Sequence, residues 1–359
     1  MTSSSSRAPL RVGILGYGLS GASFHAPLIA AEPAFTLAAV ATQRAAEVAR
    51  DWPRARVLTP DALLADPSLD VIVVATPNDA HASLAERALR AGKHVVVEKP
   101  FTLDAAEALR LDAFAREKGL CLTVFHNRRW DGDFLTVRQL LAEGRLGKLF
   151  SVESHHDRFR PRVRVRWKED DVPGGGTLWD LGAHLLDQSV QLFGMPDSLS
   201  ADVGRQREGA RTTDWFHLLL RYGELRVVLR SGSVVHEPWL RFIFQGERDA
   251  WTKSGVDPQE GQLKEGLRPG QPGWGLEPTS QHGRLSQGGE VPTLGGDWGA
   301  FYREFARAIV GEGPVPVTAA SAAQVIHLLQ LAERSAREGR VLTPDWPPSE
   351  RAAPSSAGG

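Results

Sequence analysis

The sequence has almost no cysteine and no long apolar segment. Cys121 is the single cysteine among 359 residues, which excludes an internal disulfide and suits a reducing compartment. No apolar run approaches the ~18 residues that a membrane span requires. The N-terminal Met-Thr-Ser-Ser-Ser-Ser-Arg segment also lacks the apolar stretch of a secretory signal. We therefore expect a cytoplasmic protein without a membrane-embedded part.

The sequence also lacks an excess of charge of either sign. Its 42 basic and 43 acidic residues give a formal net charge of -1, so no electrostatic footprint for nucleic acid is present. The local basic run Arg158–Lys168 contains Pro161 and Trp167, and we interpret it as a solvated or substrate-facing loop. A chain of this length can form two domains with separate cores.

The most informative segment that is present runs from Leu10 to Gly21, where a short apolar run leads into a turn with three glycines. Gly16 would allow the tight turn, Gly18 would let the backbone approach a pyrophosphate, and Gly21 would let helix and strand pack closely. The stretch Ala22–Ala31 follows with a helical pattern, which is the context that the dinucleotide fingerprint requires. The alternative is a glycine-rich turn without a ligand.

The first third of the chain alternates between strand and helix patterns. Near-continuous apolar strands favour a parallel sheet covered on both faces, and right-handed connections then give a doubly wound Rossmann sheet. We predict an NAD(P)-binding domain over residues 1–126. Its expected strands are Arg11–Leu15, Thr36–Ala41, Val71–Ala75, His94–Glu98 and Cys121–Phe125.

After His126 the pattern changes to longer alternating strands. We predict a C-terminal α+β domain over residues 127–343, with a large, open-faced, mostly antiparallel sheet and helices on one side. Residues 252–298 are rich in Gly, Pro and Gln, and they form either an ordered loop that covers the site or a disordered segment. Residues 344–359 are predicted to be a disordered tail.

The end of the second strand indicates which nicotinamide coenzyme fits. NAD sites place an acidic residue there for the ribose 2′-hydroxyl, whereas this chain has Thr42-Gln43-Arg44 and no carboxylate before Glu47. Thr42 can hydrogen-bond a 2′-phosphate and Arg44 can pair with it. We expect NADP(H) to be preferred and NAD(H) to be possible, unless Arg44 is only an exposed residue that starts the next helix.

Two segments carry the candidate chemistry. Glu98-Lys99-Pro100 places a lysine at the carboxyl end of a buried parallel strand, where open α/β sheets bind ligands, and the Lys99–Pro100 peptide is a candidate for the cis form. Asp180 and His184 lie one turn apart on a predicted helix and share its face. An imidazole is a general base near neutral pH, and a carboxylate can orient it. A purely structural Asp–His pair is the alternative.

With these motifs the chain resembles the Gfo/Idh/MocA oxidoreductases. The resemblance covers residues 10–343 and includes the Gly16–Gly21 turn, Glu98-Lys99-Pro100, Phe125-His126-Asn127-Arg128-Arg129-Trp130-Asp131, and Asp180 with His184. Phe24-His25-Ala26-Pro27 and Asp257-Pro258-Gln259-Glu260 resemble the subgroup that contains NADP-dependent scyllo-inositol dehydrogenases.

The resemblance implies hydride transfer between the nicotinamide and a hydroxyl-bearing carbon of a cyclic polyol or sugar. Lys99 and His184 would hold the hydroxyl and pass its proton, and Asp180 would position it. His155, Arg160 and Trp167 are candidates for the substrate side, while the adjacent His155 and His156 point to opposite strand faces and do not indicate a metal. The residues expected to bind the coenzyme are Gly16, Tyr17, Gly18, Ser20, Gly21, Thr42, Gln43, Arg44, Thr76, Pro77, Asn78, His81, Glu98, Lys99, Asn127 and Arg128.

Two other functions fit the same fold: a non-catalytic dinucleotide-binding regulator, and an NAD-dependent glycosidase that oxidises its substrate transiently. Loss of the Lys/Asp/His set would mark the first, and this chain retains all three residues. The apolar segments Val227–Leu229 and Leu240–Gln245 predict that the open sheet face mediates a homodimer or homotetramer.

Overall fold

The computed structural model describes residues 8–164, 169–237 and 239–346. Its first sheet contains six parallel strands in the order β3-β2-β1-β4-β5-β6, so the direction of strand addition reverses between β1 and β4. This doubly wound arrangement confirms the predicted fold class and puts the ligand edge at the carboxyl ends of the strands. The strands are β1 (Leu10–Leu15), β2 (Phe35–Ala41), β3 (Arg56–Leu58), β4 (Val71–Val74), β5 (His94–Val97) and β6 (Leu122–Val124).

Helices connect these strands, and local sequence signals fix several of their ends. The Thr59 hydroxyl accepts a hydrogen bond from the Ala62 N–H at 3.2 Å, and Asp104 accepts one from the Glu107 N–H. The first helix begins with a π-helical turn, Gly21–His25, directly after the glycine-rich turn. The helices are α1 (Ala26–Ala31), α2 (Ala45–Asp51), α3 (Pro60–Ala65), α4 (His81–Arg90) and α5 (Ala105–Glu117).

The second sheet has eight strands in the order β14-β13-β12-β11-β7-β10-β9-β8. Its pairs are antiparallel except β7 with β10, which agrees with the predicted mostly antiparallel sheet. The strands are β7 (Leu149–His155), β8 (Ser198–Gly204), β9 (Trp215–Tyr222), β10 (Leu225–Gly232), β11 (Leu240–Gly246), β12 (Ala250–Ser254), β13 (Gly283–Leu285) and β14 (Gly289–Val291).

Among the described residues, five further α-helices belong to the second half of the chain. A π-helical turn, Leu178–Gly182, precedes α7, so the helix that carries His184 is not regular at Asp180. The helices are α6 (Gly132–Ala142), α7 (Ala183–Phe193), α8 (Gln259–Glu265), α9 (Gly299–Ile309) and α10 (Ala319–Glu338).

The apolar residues of the second sheet divide between its faces differently from the prediction. Val227, Leu229, Phe242 and Phe244 are at most 2% exposed, so they belong to the core rather than to an open surface. Residues that alternate with these along each strand point to the opposite face, and Val228, for example, is half-buried. Most of the apolar character of these strands therefore comes from residues in the core. Whether the opposite, open face of the sheet is apolar depends on the half-buried residues alone.

The segment over residues 252–298 is ordered in the described structure. It contains the end of β12, then α8, β13 and β14, so it is an ordered part of the second half. Of the predicted tail, the structure describes Pro344–Trp346, and the Trp346 ring is 4% exposed and 5.3 Å from the His327 ring. Within the described residues no helix is long and apolar enough to cross a membrane.

Candidate active site

The glycine-rich turn after β1 has the shape of a phosphate-binding turn. Gly16 has a φ of +96°, and a Cβ there would lie 2.4 Å from the Ala75 carbonyl oxygen. A Cβ on Gly21 would lie 2.2 Å from the Gly16 carbonyl oxygen. At Gly18 a Cβ would meet nothing within 4 Å, so packing in the protein does not explain this glycine. The space above Gly18 fits the close approach of a dinucleotide pyrophosphate.

Other residues predicted to bind the coenzyme lie at the same edge but have different roles. Tyr17 is 2% exposed, and its hydroxyl is 3.3 Å from Asp51; burial and Asp51 raise the pKa of Tyr17 to about 12. Its side chain is therefore directed at α2, and only its backbone borders the turn. Ser20 donates a hydrogen bond to the Glu98 carboxylate, so both side chains engage each other.

The segment after β2 is exposed, as a site for a 2′-phosphate requires. The Thr42 hydroxyl accepts a hydrogen bond from the Arg44 N–H at 3.0 Å, which shapes the turn. The Arg44 side chain is 56% exposed and lies 3.7 Å from Glu47, while Gln43 is exposed. This local ion pair contributes little because it is solvated, so the Arg44 guanidinium can turn to an anion.

The residues after β4 divide between the surface and the interior. Thr76 and Pro77 are accessible, whereas His81 is fully buried and cannot border a ligand directly, contrary to the prediction. The two His81 ring nitrogens lie 2.8 Å from the Pro100 carbonyl oxygen and 3.0 Å from that of Thr76. His81 thus fixes the turns after β4 and β5. Asn78 donates a hydrogen bond to the Gly174 carbonyl at 2.9 Å, which joins the two halves of the chain.

Lys99 and Asp180 meet across the two halves. The Lys99–Pro100 peptide is cis, as the sequence suggested. Lys99 Nζ donates to Asp180 Oδ1 at 2.8 Å and to the Asp180 carbonyl oxygen at 2.6 Å. On the other side Arg158 approaches Asp180 Oδ2 at 3.7 Å, so two cations flank this carboxylate. Arg158 belongs to the basic run that the sequence indicated to be a solvated or substrate-facing loop, and in the structure it follows β7 to Asp180.

His184 lies on the same helical segment as Asp180 and is 5% exposed. Burial, together with Lys99 and Arg128, lowers the pKa of His184 well below its ordinary value, and Asp180 opposes this shift only partly. The imidazole is therefore neutral near pH 7, as a proton acceptor must be. The Asp180 carboxylate accepts a hydrogen bond from Lys99 Nζ, so it holds the Lys99 side chain beside this helix.

Asn127 and Arg128 begin a short 3₁₀ turn at the junction of the halves, and both are buried. Arg128 donates to Asp131 and Glu260, each at 3.1 Å. Burial alone would lower the pKa of Arg128, but these carboxylates outweigh it and hold the pKa above its ordinary value. Arg128 and Glu260 line a cleft of about 470 Å³ beside this junction.

The three residues predicted for the substrate side have different outcomes. Arg160 lines the cleft and also the small hollow beside Asp180. His155 bonds to Glu153, two residues earlier on the same strand face, whereas the adjacent His156 lines the cleft. His155 therefore faces away from this cleft, because neighbouring strand residues face opposite sides. Trp167 lies outside the described residues.

The fold and this edge-of-sheet site define an oxidoreductase with an NAD-binding Rossmann domain. Residues 10–126 match the model of the oxidoreductase family's NAD-binding Rossmann fold, and residues 138–343 match its C-terminal alpha/beta domain. The chain therefore belongs to the Gfo/Idh/MocA family.

Individual relatives agree with this assignment over nearly the whole chain. The chain is 45% identical to the uncharacterized oxidoreductase YdgJ of Escherichia coli, covering 93% of this chain and 98% of the relative. It is 39% identical to the scyllo-inositol 2-dehydrogenase (NADP(+)) IolW of Bacillus subtilis, covering 93% and 95%. A solved oxidoreductase from Bacillus cereus superposes with a TM-score of 0.84 at 31% identity, covering 94% of this chain and 99% of that one.

Proposed function

We propose that the protein is an NADP(H)-dependent dehydrogenase that interconverts a secondary alcohol of a cyclic, inositol-like polyol or sugar with its ketone. The observation that carries the proposal is the Lys99–Asp180 contact at the carboxyl edge of the Rossmann sheet, with a neutral His184 on the adjoining helix. The name of the Bacillus subtilis relative supports both the polyol and the NADP assignments. We expect the protein to act in the cytoplasm as a homo-oligomer.

The chain's own groups supply binding and proton transfer. Lys99, held by Asp180, would orient the reacting hydroxyl oxygen through its ammonium group. His184 would take the hydroxyl proton in the oxidative direction because its imidazole is neutral. A nicotinamide dinucleotide, when bound along the Gly16–Gly21 turn, supplies the hydride acceptor or donor. Arg44 and Thr42 would receive the 2′-phosphate.

The test is turnover by the purified protein with NADP and with NAD, against inositol isomers and aldoses. Lys99→Ala and His184→Ala should each lower kcat roughly 10²–10⁴-fold while NADP affinity changes only a few-fold. The matched control is Lys118→Ala, because Lys118 is an exposed lysine at the end of α5 that lies over the Phe114 ring. Normal turnover by both site variants would contradict the assignment and favour a dinucleotide-binding regulator. Retention of the coenzyme through repeated glycoside cleavage, without net reduction of added NADP, would indicate the glycosidase alternative.

A further inference from the structure

The carboxylate of Glu98 links three parts of the site. Its Oε2 accepts a hydrogen bond from the Lys99 backbone N–H at 2.9 Å. Its Oε1 lies 3.2 Å from His25 Nε2 and also accepts from the Ser20 hydroxyl. Glu98 is buried, and these partners use both carboxylate oxygens. Glu98 therefore connects the glycine-rich turn to the main chain of Lys99, and its carboxylate oxygens are already hydrogen-bonded within the protein.

His25 extends this connection into the second half of the chain. Its ring is fully buried against Phe125, with 4.4 Å between the ring centroids, and its Nδ1 lies 2.6 Å from the Tyr302 hydroxyl on α9. Burial and the nearby Glu98 raise the pKa of Tyr302 well above its ordinary value, so the phenol keeps its proton. Both ring nitrogens of His25 therefore have a partner, Tyr302 at Nδ1 and Glu98 at Nε2.

We propose that His25 is a positioning residue for Lys99, acting through Glu98 and held in place by Tyr302. The side chain of Lys99 is fixed by Asp180, and this buried chain of hydrogen bonds fixes its backbone. Because Ser20 binds the same carboxylate, the position of Lys99 is also tied to the turn that would seat the pyrophosphate. The inference rests on the proposed function, in which Lys99 touches the substrate. A small displacement of a group that contacts the reacting atoms can lower the reaction rate strongly.

The first experiment measures kcat and NADP affinity for Tyr302→Phe and His25→Gln. Tyr302→Phe keeps the ring and removes only the hydroxyl, so it should fold even if His25→Gln does not. We expect kcat to fall about 10–100-fold, with NADP affinity changed a few-fold. The matched control is Tyr222→Phe, which removes the hydroxyl of a half-buried tyrosine that contacts Ser189 on another helix. An unchanged kcat in Tyr302→Phe would overturn the proposal.

A double-mutant cycle separates positioning from a general structural effect. In a Lys99→Ala background, Tyr302→Phe should cause little further loss of kcat, because the residue it helps to position is gone. Full additivity of the two losses would overturn the proposal.

A second readout does not depend on turnover. The Lys99 backbone amide should exchange its hydrogen faster in Tyr302→Phe than in the wild type or in Tyr222→Phe. An unchanged exchange rate would overturn the positioning role of His25, whether or not the protein oxidises a polyol. Faster exchange in a protein whose wild type shows no turnover would instead contradict only the proposed dehydrogenase function.

Discussion

At the scale of single residues, the protonation state of His184 depends on burial more than on its charged neighbours. From the sequence, Lys99 favours the neutral ring by repulsion and Asp180 opposes it, and the balance is open. In the structure, burial adds to the effect of Lys99, and Asp180 is already bound to that lysine. The neutral form is therefore strongly favoured, which sequence reasoning could not determine because it does not give depth in the fold.

This gives a prediction for the pH dependence of oxidation. His184 must be neutral to accept a proton, and its lowered pKa keeps it neutral well below the ordinary histidine value of about 6.5. Oxidation should therefore show no loss through protonation of His184 near neutral pH, and its acid limb should lie below about pH 6.5. The measurement is kcat/KM for oxidation from acid to alkaline pH. His184→Ala should lack this limb and His217→Ala should keep it; a limb centred at or above 6.5 in the wild type would contradict the prediction.

Arg44 gives a prediction about coenzyme choice. Arg44→Ala should weaken NADP binding by roughly 1.5–3 kcal/mol through loss of a charge-assisted contact, and should change NAD binding little. Arg50→Ala is the control, since Arg50 is an exposed arginine on α2 that pairs with Asp51. Titration of each variant with both coenzymes is the measurement, and equal losses for NADP and NAD would refute the role of Arg44.

A local feature could be predicted where a motif fixes its position along a strand. The cis Lys99–Pro100 peptide was anticipated from its place at a strand end. The burial of His81 and the strand face of His155 could not be predicted, because both depend on neighbours distant in sequence. For Arg158 the sequence left open a solvated or a substrate-facing loop, because its 3.7 Å approach to Asp180 Oδ2 joins residues distant in sequence.

At the scale of elements, the strands with strong apolar patterns were predicted well, and the short polar ones were not. β3 is a three-residue strand with two exposed positions, and β13 and β14 are equally short. Residues 252–298 could be read as ordered or disordered because their anchoring is tertiary. Asp257 accepts from the Gly132 N–H at 2.7 Å, and Gln259 donates to the Trp130 carbonyl at 3.1 Å, so α8 is held beside the Arg128 turn.

The glycine-rich turn gives an element-scale prediction with its own control. Gly21→Ala should destabilise the fold by about 1–3 kcal/mol, because the new methyl group meets the Gly16 carbonyl oxygen. Gly18→Ala meets open space, so stability should be nearly unchanged while dinucleotide affinity falls about tenfold, or 1.4 kcal/mol. Denaturant unfolding and coenzyme titration of both variants are the measurements. Unchanged coenzyme affinity in Gly18→Ala would contradict a pyrophosphate at this turn.

At the scale of the whole molecule, the second sheet has one buried face and one that the described residues cover only in part. Leu219 is opposite Val228, and Glu153 is opposite both Val228 and Ile243, so these four form a row across the middle of the sheet. All four are half-buried, whereas the alternate rows are in the core. We expect this partly exposed apolar row to contact another subunit.

This row predicts how self-association can be disrupted. Light scattering at micromolar concentration should show a homodimer or homotetramer for the wild type. Val228→Lys combined with Ile243→Lys should produce a monomer, because two such faces would then bring buried like charges together. NADP affinity should be retained, since the row lies away from the Rossmann sheet. Leu276→Lys is the matched control, because Leu276 is an apolar residue that is 57% exposed elsewhere on the surface. A monomeric wild type would refute the assembly, and an oligomer unaffected by the double substitution would place the interface on another face.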